Sequence, residues 1–205
     1  MLTLYHAPQS RSIIAQWMLV ELGEPFDYHL LDLKKGDNRT AAYLAINPMG
    51  KVPTLDHDGS VVTEAAAICS YLADAFPKAG LAIPIGDRRR GPYLKWLFYG
   101  PSCLEPAVID RMFQRPDVAP GSLGYGDFER VMEMLSAAVG RGPYLMGDSF
   151  TAADVVIGSG LIWGMMTKAV PARPEILAYT DRLQERPGLR RVYEQDAAFV
   201  KKLGG

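Results

Sequence analysis

The stretch Asn47-Pro-Met-Gly-Lys-Val-Pro-Thr-Leu55 is followed, a few residues later, by Thr63-Glu-Ala-Ala-Ala-Ile68. Together they predict a loop, a strand that begins at Pro53, an Asp58-Gly59 turn, a second short strand and the start of a helix. This order can present unpaired backbone groups and a helix N-terminus to one small peptide-like ligand. Both the fold and a binding site can therefore be predicted from this part of the chain.

The segments around this stretch complete a mixed α/β pattern. An alternating strand is predicted over Leu2–Tyr5, and the apolar segment Arg11–Leu22 predicts a helix that ends at Gly23. Further elements are predicted as strands at Phe26–Leu30, Val52–Leu55 and Val61–Val62 and as helices at Arg39–Ala45 and Glu64–Phe76. The resulting order, strand–helix–strand–helix–strand–strand–helix, joins a βαβ unit to a ββα unit, which predicts an α/β thioredoxin-like domain.

The remainder of the chain is predicted to be all-α. Pro77–Gly86 is short, apolar and punctuated by Pro and Gly, which is typical of a linker. Pro101 and Pro106 lie inside the helical segment Asp87–Phe113 and should kink or interrupt it. Further helices are predicted at Asp127–Val139, Ala152–Thr167, Pro174–Glu185 and Leu189–Gln195. The predicted domains are residues 1–78, a linker at 79–86 and an all-α domain at 87–205.

Composition argues against several kinds of partner and location. The net charge of −1 over 205 residues gives no strong attraction to nucleic acid or to an anionic membrane. Neither a signal-peptide pattern nor a run of about 18 apolar residues is present, so a cytoplasmic protein is expected. Cys69 and Cys103 are far apart in apolar helical contexts, which indicates reduced thiols. The histidines lack a paired ligand at metal spacing, so no metal is predicted.

The two halves of the opening stretch offer complementary groups to a ligand. Pro53 has no N–H to donate and keeps the preceding chain extended, so Val52 can leave its own N–H and C=O unpaired. A cis bond between these two residues would help to turn those groups outward. Thr63 is a candidate N-cap, and the first amides of the helix, near Glu64 to Ala66, suit a ligand carboxylate. Glu64 could bind a ligand ammonium, which would indicate an α-amino acid head group, or it could only favour the helix dipole.

Three motifs in order carry a resemblance to a known family. Asn47-Pro-x-Gly-Lys-Val-Pro-x-Leu55, Thr63-Glu64 before a helix, and Phe150-Thr-x-x-Asp154 resemble the motifs of cytosolic glutathione S-transferases. The bacterial branch is most similar, since Leu4-Tyr-His and Arg11-Ser stand before a helix that ends Glu21-Leu-Gly. The resemblance covers essentially the full length. It implies a thioredoxin-like glutathione-binding domain, an all-α domain and a homodimer.

The resemblance assigns glutathione contacts by position. Val52 would hold the cysteinyl backbone of glutathione, next to a cis Pro53. Glu64 and the Ala65 amide would hold the γ-glutamyl end. The family usually has Ser where this chain has Ala65, so the backbone donor is kept while a hydroxyl contact is lost.

The remaining ligand contacts are less specific. Lys51 and Lys35 are candidates for the glycyl carboxylate of glutathione, and either could instead be a solvated surface charge. The second substrate is expected to be a small hydrophobic electrophile, bound in a pocket lined from the all-α domain. Aromatic candidates for that pocket are Trp96, Tyr99, Phe113 and Trp163, and for each of them core packing is the alternative.

The residue that activates the glutathione thiol has two candidates. The family places a Tyr, Ser or Cys near the end of the first strand or the start of the first helix, and this chain offers Tyr5, Ser10 and Ser12 there, of which Ser10 and Tyr5 are the candidates. Ser10 lies at a helix N-terminus, where the dipole helps a hydroxyl to stabilise a thiolate, and it is preferred. The alternatives are a plain N-cap for Ser10 and a half-buried strand residue for Tyr5. Arg11 could add positive charge near the sulfur or pair with an acidic neighbour.

The segment at Phe150–Asp154 is interpreted as structural. Thr151 is a candidate N-cap, and Asp154 falls three residues later, where its carboxylate can reach back to the Thr151 amide. The helix that follows is apolar nearly all round, and Gly158 and Gly160 would allow close approach of a neighbour. We therefore predict a buried central helix and no catalytic role for Asp154.

The function predicted from the sequence is a glutathione transferase that adds the glutathione thiolate to a hydrophobic electrophile. A specialised glutathione-dependent isomerase, dehalogenase or disulfide reductase is a second possibility. The isomerase is disfavoured because Ala7-Pro-Gln-Ser10 stands where its Ser-Ser-Cys motif would be. A third possibility is a non-catalytic binding or regulatory module that keeps only the fold.

Overall fold

The computed structural model describes residues 1–116 and 118–204. Its chain forms two compact units. The first contains residues 1–79 together with the chain from Arg186 onward, and the second contains Gly80–Glu185. No helix among the described residues is long and apolar enough to cross a membrane.

Four strands form one mixed sheet in the first unit. Strand β1, Leu2–His6, has β2, Phe26–Leu30, parallel on one side and β3, Thr54–His57, antiparallel on the other. Strand β4, Ser60–Thr63, pairs with β3 at the edge, which gives the order β2-β1-β3-β4. The predicted thioredoxin-like arrangement is confirmed, because β1 and β2 need a crossover helix whereas β3 and β4 are joined by a tight turn.

Two helices cover one face of this sheet and a third precedes β3. They are α1, Ser12–Leu22, α2, Ala41–Ile46, and α3, Ala65–Ala75. Alternation along β1 buries Leu2 and Leu4 completely or nearly so. Helix α1 ends where predicted, because Gly23 adopts φ 79° and its N–H bonds to the Leu19 carbonyl at 3.3 Å.

Helix α2 begins later than predicted. A short 3₁₀ turn at Asp37–Arg39 comes first, and Thr40 is extended with φ −66° and ψ 149°. The Thr40 hydroxyl then accepts the Tyr43 N–H at 3.3 Å, which makes Thr40 the N-cap. The prediction that the helix starts at Arg39 is therefore wrong by two residues.

The last helix, α9, Pro187–Lys202, packs on α1 in the first unit. Glu21 of α1 forms an ion pair with Arg186, with the Arg186 Nη2 and Nε atoms 2.6 and 2.9 Å from its two oxygens, and accepts the Trp17 indole N–H at 2.9 Å. Gly188 lets the helix approach this carboxylate, since a Cβ there would lie 2.5 Å from Glu21 Oε1. Helix α9 is longer than the predicted Leu189–Gln195. The sequence analysis placed this helix in the all-α domain, residues 87–205. The predicted domain boundaries stay a prediction.

Among the described residues of the second unit, the regular structure is helical apart from two isolated bridges, Tyr144 with Gly147 and Met146 with Ser149. Its helices are α4, Arg90–Tyr99, α5, Glu105–Met112, α6, Phe128–Val139, α7, Ala152–Met166, and α8, Pro174–Gln184. A π-helical turn at Gly100–Leu104 separates α4 from α5, so the predicted interruption near Pro101 is confirmed. Pro101 has no N–H to continue an α-helical ladder, which is the physical reason for the break.

Helix α7 is the buried centre of the second unit, as predicted. The Asp154 carboxylate accepts the Thr151 N–H at 2.9 Å and the Leu145 N–H at 2.8 Å. It also accepts the Tyr179 hydroxyl at 2.9 Å, so its hydrogen-bonding capacity is used within the unit. Gly160 sits where a Cβ would lie 2.7 Å from the Leu104 side chain, which shows the close approach expected for this position.

Replacing Gly188 by alanine should lower the free energy of unfolding by about 1–3 kcal/mol. The added Cβ would displace the Glu21 carboxylate from Arg186. Gly91 is a matched control, since it is also the second residue of a helix and a Cβ there would meet nothing within 4 Å. Gly91→Ala should be neutral or stabilising by up to about 1 kcal/mol. Urea unfolding of both variants checks this, and equal midpoints would contradict the close packing of α9 on Glu21.

Candidate functional site

The loop before β3 is held by buried side-chain hydrogen bonds. Asn47 is 4% exposed, and its amide donates to the Lys51 carbonyl at 2.8 Å and to Thr54 Oγ1 at 3.1 Å. The Tyr43 hydroxyl donates to the same Lys51 carbonyl at 2.6 Å. Burial raises the pKa of Tyr43, which keeps its phenol protonated as a donor. The backbone is therefore fixed up to the residue before Val52.

Val52 stands between this fixed loop and the sheet. The Val52–Pro53 peptide bond is cis, and β3 begins only at Thr54, which pairs with Tyr5. Within the described chain no hydrogen bond to the Val52 N–H or C=O is found, and the residue is partly exposed. These two backbone groups can therefore pair with an extended peptide as a further strand would.

The start of α3 lies beside this segment because of strand register. Thr63 is the last residue of β4 and pairs with Thr54 in β3. Pro53 precedes Thr54 and Glu64 follows Thr63, so the pairing brings the Val52 backbone next to the first residues of α3. The structure thus unites the two halves of the motif that the sequence analysis treated together.

Thr63 is not the N-cap of α3, so this prediction is wrong. The N-cap is Glu64, with φ 67° and ψ 118°, and the Glu64 side chain makes no capping hydrogen bond. Thr63 is kept in the strand by its pairing with Thr54, and the chain must turn sharply at the next residue. A non-glycine residue at positive φ costs about 1–3 kcal/mol. The turn leaves Glu64 exposed, ahead of the helix amides from Ala65 onward.

Ser10 lies in the turn between β1 and α1. Helix α1 is regular from Ser12, and Ser10 opens its first turn. The Ser10 hydroxyl accepts the Ser12 N–H at 3.2 Å and the Ser10 carbonyl accepts the Ile13 N–H at 3.1 Å, so Ser10 makes the contacts of an N-cap residue, as its alternative interpretation predicted. The Ser10 hydroxyl lies 2.8 Å from Ser12 Oγ and 2.7 Å from the Ala7 carbonyl. Ser10 is partly exposed and Arg11 is exposed, so both can meet a ligand at the N-terminus of α1.

Tyr5 has different surroundings from Ser10. Its ring lies 4.8 Å from the ring of His29 and 5.7 Å from that of Tyr43, measured between centroids. Successive residues of a strand point to opposite faces, so Tyr5 and His6 point apart. It is His6 that contacts the turn containing Ser10, through Ser12.

The two lysine candidates differ in their partners. Lys35 Nζ lies 2.9 Å from Asp32 Oδ2, and this hydrogen bond raises the pKa of Lys35 and lowers the pKa of Asp32. For Lys51 no ion pair is found in the described part of the chain, and the residue is exposed. Lys51 also adjoins Val52 in sequence, whereas Lys35 belongs to a separate turn.

The aromatic candidates for a second-substrate pocket all lie in the second unit. Trp96 is buried, and its ring makes a T-shaped contact with that of Tyr99 at 5.4 Å. Burial raises the pKa of Tyr99 to about 12. Phe113 is 74% exposed, and Trp163 is partly buried in α7. Their role in binding stays a prediction.

Several polar residues near Ser10 received no role from the sequence. His6 and Ser12 are fully buried, and Asp196 of α9 is also buried. In the sequence, His6 follows Leu2 and Leu4 at the alternating positions of the first strand, and this period predicts that its polar side chain is buried. Nothing local marked Asp196, because its contacts depend on how α9 packs. Among the described residues no group of three metal-ligating side chains is found, and Cys69 and Cys103 are free thiols.

The fold and site define a protein with a thioredoxin-like sheet, in which an open backbone segment before β3 and the N-terminus of α3 offer groups that suit a peptide-like ligand. Family models for the N-terminal and C-terminal domains of glutathione S-transferase match residues 11–75 and 123–196. Glutathione S-transferase GstA of Escherichia coli O157:H7 is 30% identical over 193 residues, which are 90% of this chain and 93% of that protein. The chain therefore belongs to the glutathione S-transferase family.

Solved structures agree with this assignment. A glutathione transferase from Methylococcus capsulatus str. Bath has a TM-score of 0.78 and 30% identity, covering 97% of this chain and 100% of its own. A sphingomonad glutathione S-transferase complexed with glutathione has a TM-score of 0.79 and 27% identity, covering 95% of this chain and 98% of its own. The fold of the whole chain is thus shared with these proteins.

Replacing Asn47 by alanine should lower the free energy of unfolding by about 1–3 kcal/mol, because the Lys51 carbonyl and Thr54 hydroxyl lose a buried donor. Lys51→Ala is the control in the same loop, since the Lys51 side chain is exposed and its effect should stay within about 0.5 kcal/mol. Denaturant unfolding monitored by tryptophan fluorescence measures both. If Asn47→Ala were as stable as Lys51→Ala, the loop would not depend on this hydrogen-bond network.

Proposed function

We propose that this protein is a glutathione transferase that adds the thiolate of glutathione to a small hydrophobic electrophile. The observation that carries the proposal is the Val52 backbone, open for strand-like pairing and placed beside the N-terminus of α3 by the Thr54–Thr63 pairing. Family membership supports it, as do the relative named glutathione S-transferase and the sphingomonad structure complexed with glutathione.

In the proposed complex the two open backbone groups of Val52 pair with the cysteinyl residue of glutathione. The γ-glutamyl carboxylate meets the amides at the start of α3, and its ammonium meets the exposed Glu64 carboxylate. Ala65 supplies a backbone N–H and no hydroxyl, which leaves this end with one contact fewer than the family pattern. Lys51 is the better candidate for the glycyl carboxylate because Lys35 is already paired with Asp32.

In this proposal Ser10 stabilises the thiolate. A thiol has an ordinary pKa of about 8.5, and hydrogen-bond donors and a helix N-terminus favour the thiolate form. Ser10 is partly exposed just before α1, an eleven-residue helix whose dipole favours a negative charge near its N-terminus. Tyr5 is the second candidate, and its ring contacts with His29 and Tyr43 favour a packing role.

The proposal extends to the state of the protein in the cell. A homodimer in the cytoplasm, acting in detoxification, is what the family resemblance implies. The free thiols of Cys69 and Cys103 support a reducing compartment.

The class of activity is tested by retention on immobilised glutathione, followed by conjugation of a generic aryl halide. Retention with conjugation is the expected result. Retention without conjugation would favour a specialised glutathione-dependent isomerase, dehalogenase or disulfide reductase. Absence of both would overturn the proposal in favour of a non-catalytic module.

Ser10→Ala should lower kcat for conjugation about a hundredfold while the affinity for glutathione changes less than about threefold. The reason is that the hydroxyl contacts the reacting sulfur and not the parts of glutathione that anchor it. Tyr5→Phe is the matched comparison, since it removes one hydroxyl from the other candidate. Steady-state kinetics with both substrates varied gives the two numbers. A large loss in Tyr5→Phe with none in Ser10→Ala would reverse the assignment.

A further inference from the structure

The turn that presents Ser10 is strained and is held by a carboxylate from the last helix. Gln9, a non-glycine residue, adopts φ 56° immediately before Ser10. Its N–H donates to Asp196 of α9, with the two carboxylate oxygens 3.2 and 3.3 Å away. Gln9 is exposed, so this carboxylate, together with the hydrogen bonds between Ala7 and the two serines, helps to fix the direction in which Ser10 leaves the turn.

The same carboxylate faces a fully buried histidine. Asp196 Oδ1 lies 3.4 Å from His6 Nε2, and the two side chains are 12% and 0% exposed respectively. His6 Nε2 is buried and makes no hydrogen bond within the described chain. The rings of Tyr28 from β2 and Phe199 from α9 lie 5.8 and 5.6 Å from the His6 ring, so residues of both elements enclose the imidazole.

The other nitrogen of His6 leads back to Ser10. His6 Nδ1 lies 2.8 Å from Ser12 Oγ, which lies 2.8 Å from Ser10 Oγ. The Ala7 N–H donates to Ser12 Oγ at 3.1 Å, and the Ser12 N–H donates to Ser10 Oγ at 3.2 Å. The Ala7 carbonyl, 2.7 and 2.9 Å from the two hydroxyls, is the alternative acceptor for each. A row of hydrogen-bonding atoms thus joins Ser10 to His6 Nδ1, and the other nitrogen of His6 faces the Asp196 carboxylate at 3.4 Å.

The proton positions along this row follow from what each atom can accept. A neutral His6 that carries its proton on Nε2, facing Asp196, leaves Nδ1 to accept from the Ser12 hydroxyl. Ser12 Oγ then accepts from the Ala7 N–H and from the Ser10 hydroxyl. Ser10 Oγ accepts the Ser12 N–H and keeps one lone pair for a ligand donor such as a thiol.

We propose that His6, reached through Ser10 and Ser12 and oriented by Asp196, takes up the thiol proton of bound glutathione. In this step the S–H proton passes to Ser10 Oγ, the Ser10 proton to Ser12 Oγ, and the Ser12 proton to His6 Nδ1. The products are a thiolate that accepts a hydrogen bond from Ser10, and an imidazolium that faces the Asp196 carboxylate. No atom is lost, and the positive charge appears beside a buried negative one, as in a serine–histidine–aspartate arrangement.

This inference rests on the proposed function and deepens its chemical step. Ser10 is the catalytic residue in it, since only Ser10 would touch the sulfur. Asp196 is a positioning residue, and it acts on both ends of the row by holding the Gln9 N–H and by facing His6. Asp196→Asn keeps an oxygen to accept the Gln9 N–H and removes the charge that balances the imidazolium.

A proton count on the unaltered protein tests the relay. Thiolate formed on binding is measured by its ultraviolet absorbance, and protons released to solvent are measured calorimetrically in buffers of different ionisation enthalpy. S-methylglutathione, which has no thiol proton, supplies the baseline. The expected result is a thiolate signal with proton release well below one per thiolate. Release of one proton per thiolate would overturn the relay and leave the proposed function standing, whereas failure of glutathione to bind would overturn both.

The variant test uses two carboxylates of α9. Asp196→Asn should lower kcat about a hundredfold and reduce the thiolate signal, with the KM for glutathione changed less than about threefold. Glu194→Gln makes the same change on an exposed residue of the same helix and should leave both readouts unaltered. Matching thermal midpoints for the two variants would confirm that folding is unaffected. Equal thiolate signals and kcat values in both would overturn the role of Asp196.

Discussion

The pairing of Thr54 with Thr63 is the constraint on which the ligand-binding half of the first unit depends. The tight turn at Asp58-Gly59 sets this pairing, and the pairing brings together the two parts of the proposed binding site, which lie at the two ends of the hairpin. On one side the chain arrives from Pro53 with open backbone groups, and on the other it leaves through Glu64 into the N-terminus of α3. A slip of one residue in this register would turn every side chain of β4 to the other face and separate the two.

The conformation of Glu64 shows what this register costs. The strand keeps Thr63 in the sheet, so the change of direction falls on one residue with positive φ. Such strain persists only where the surrounding structure determines it, and here β3, β4 and α3 all do. The strained backbone places the Glu64 carboxylate, exposed, at the N-terminus of α3. A carboxylate that only stabilised the helix dipole could do so from an unstrained backbone conformation. The geometry therefore favours a ligand role for Glu64 over the helix-dipole interpretation.

Prediction from sequence succeeded where the signal was local. Gly23 ends α1 because a residue with positive φ is needed there, and Pro101 interrupts a helix because it has no N–H. It failed at Thr63, where a good capping residue is held in a strand by its partner Thr54. The capping preference of Thr63 and its pairing with Thr54 across the hairpin competed at that position, and the pairing was stronger.

The surroundings of Ser10 could not be predicted for a related reason. The binding half of the site comes from one continuous segment, whereas the turn at Ser10 is completed by Asp196, nearly two hundred residues away. Only the packing of α9 on α1, through Glu21 and Arg186, brings them together. Sequence patterns predict the period and the caps of one segment at a time, and they do not predict which helix packs against which other element.

This division between the two halves has a consequence for the chemistry. The segment that would bind glutathione is complete within the first 79 residues, whereas the row from Ser10 to Asp196 is complete only when the last helix packs on the first unit.

Tyr5 and His6 are neighbours in β1, and their opposite directions give them different partners. Tyr5 contacts rings of the sheet and α2, and His6 joins the row that α9 closes. The two candidate activators therefore differ in their support: Tyr5 is packed by the sheet and α2, and Ser10 belongs to a row that also needs α9. Because the thiol proton needs an acceptor as well as a donor hydroxyl, and the row behind Ser10 supplies one, Ser10 is the candidate with the more complete chemistry.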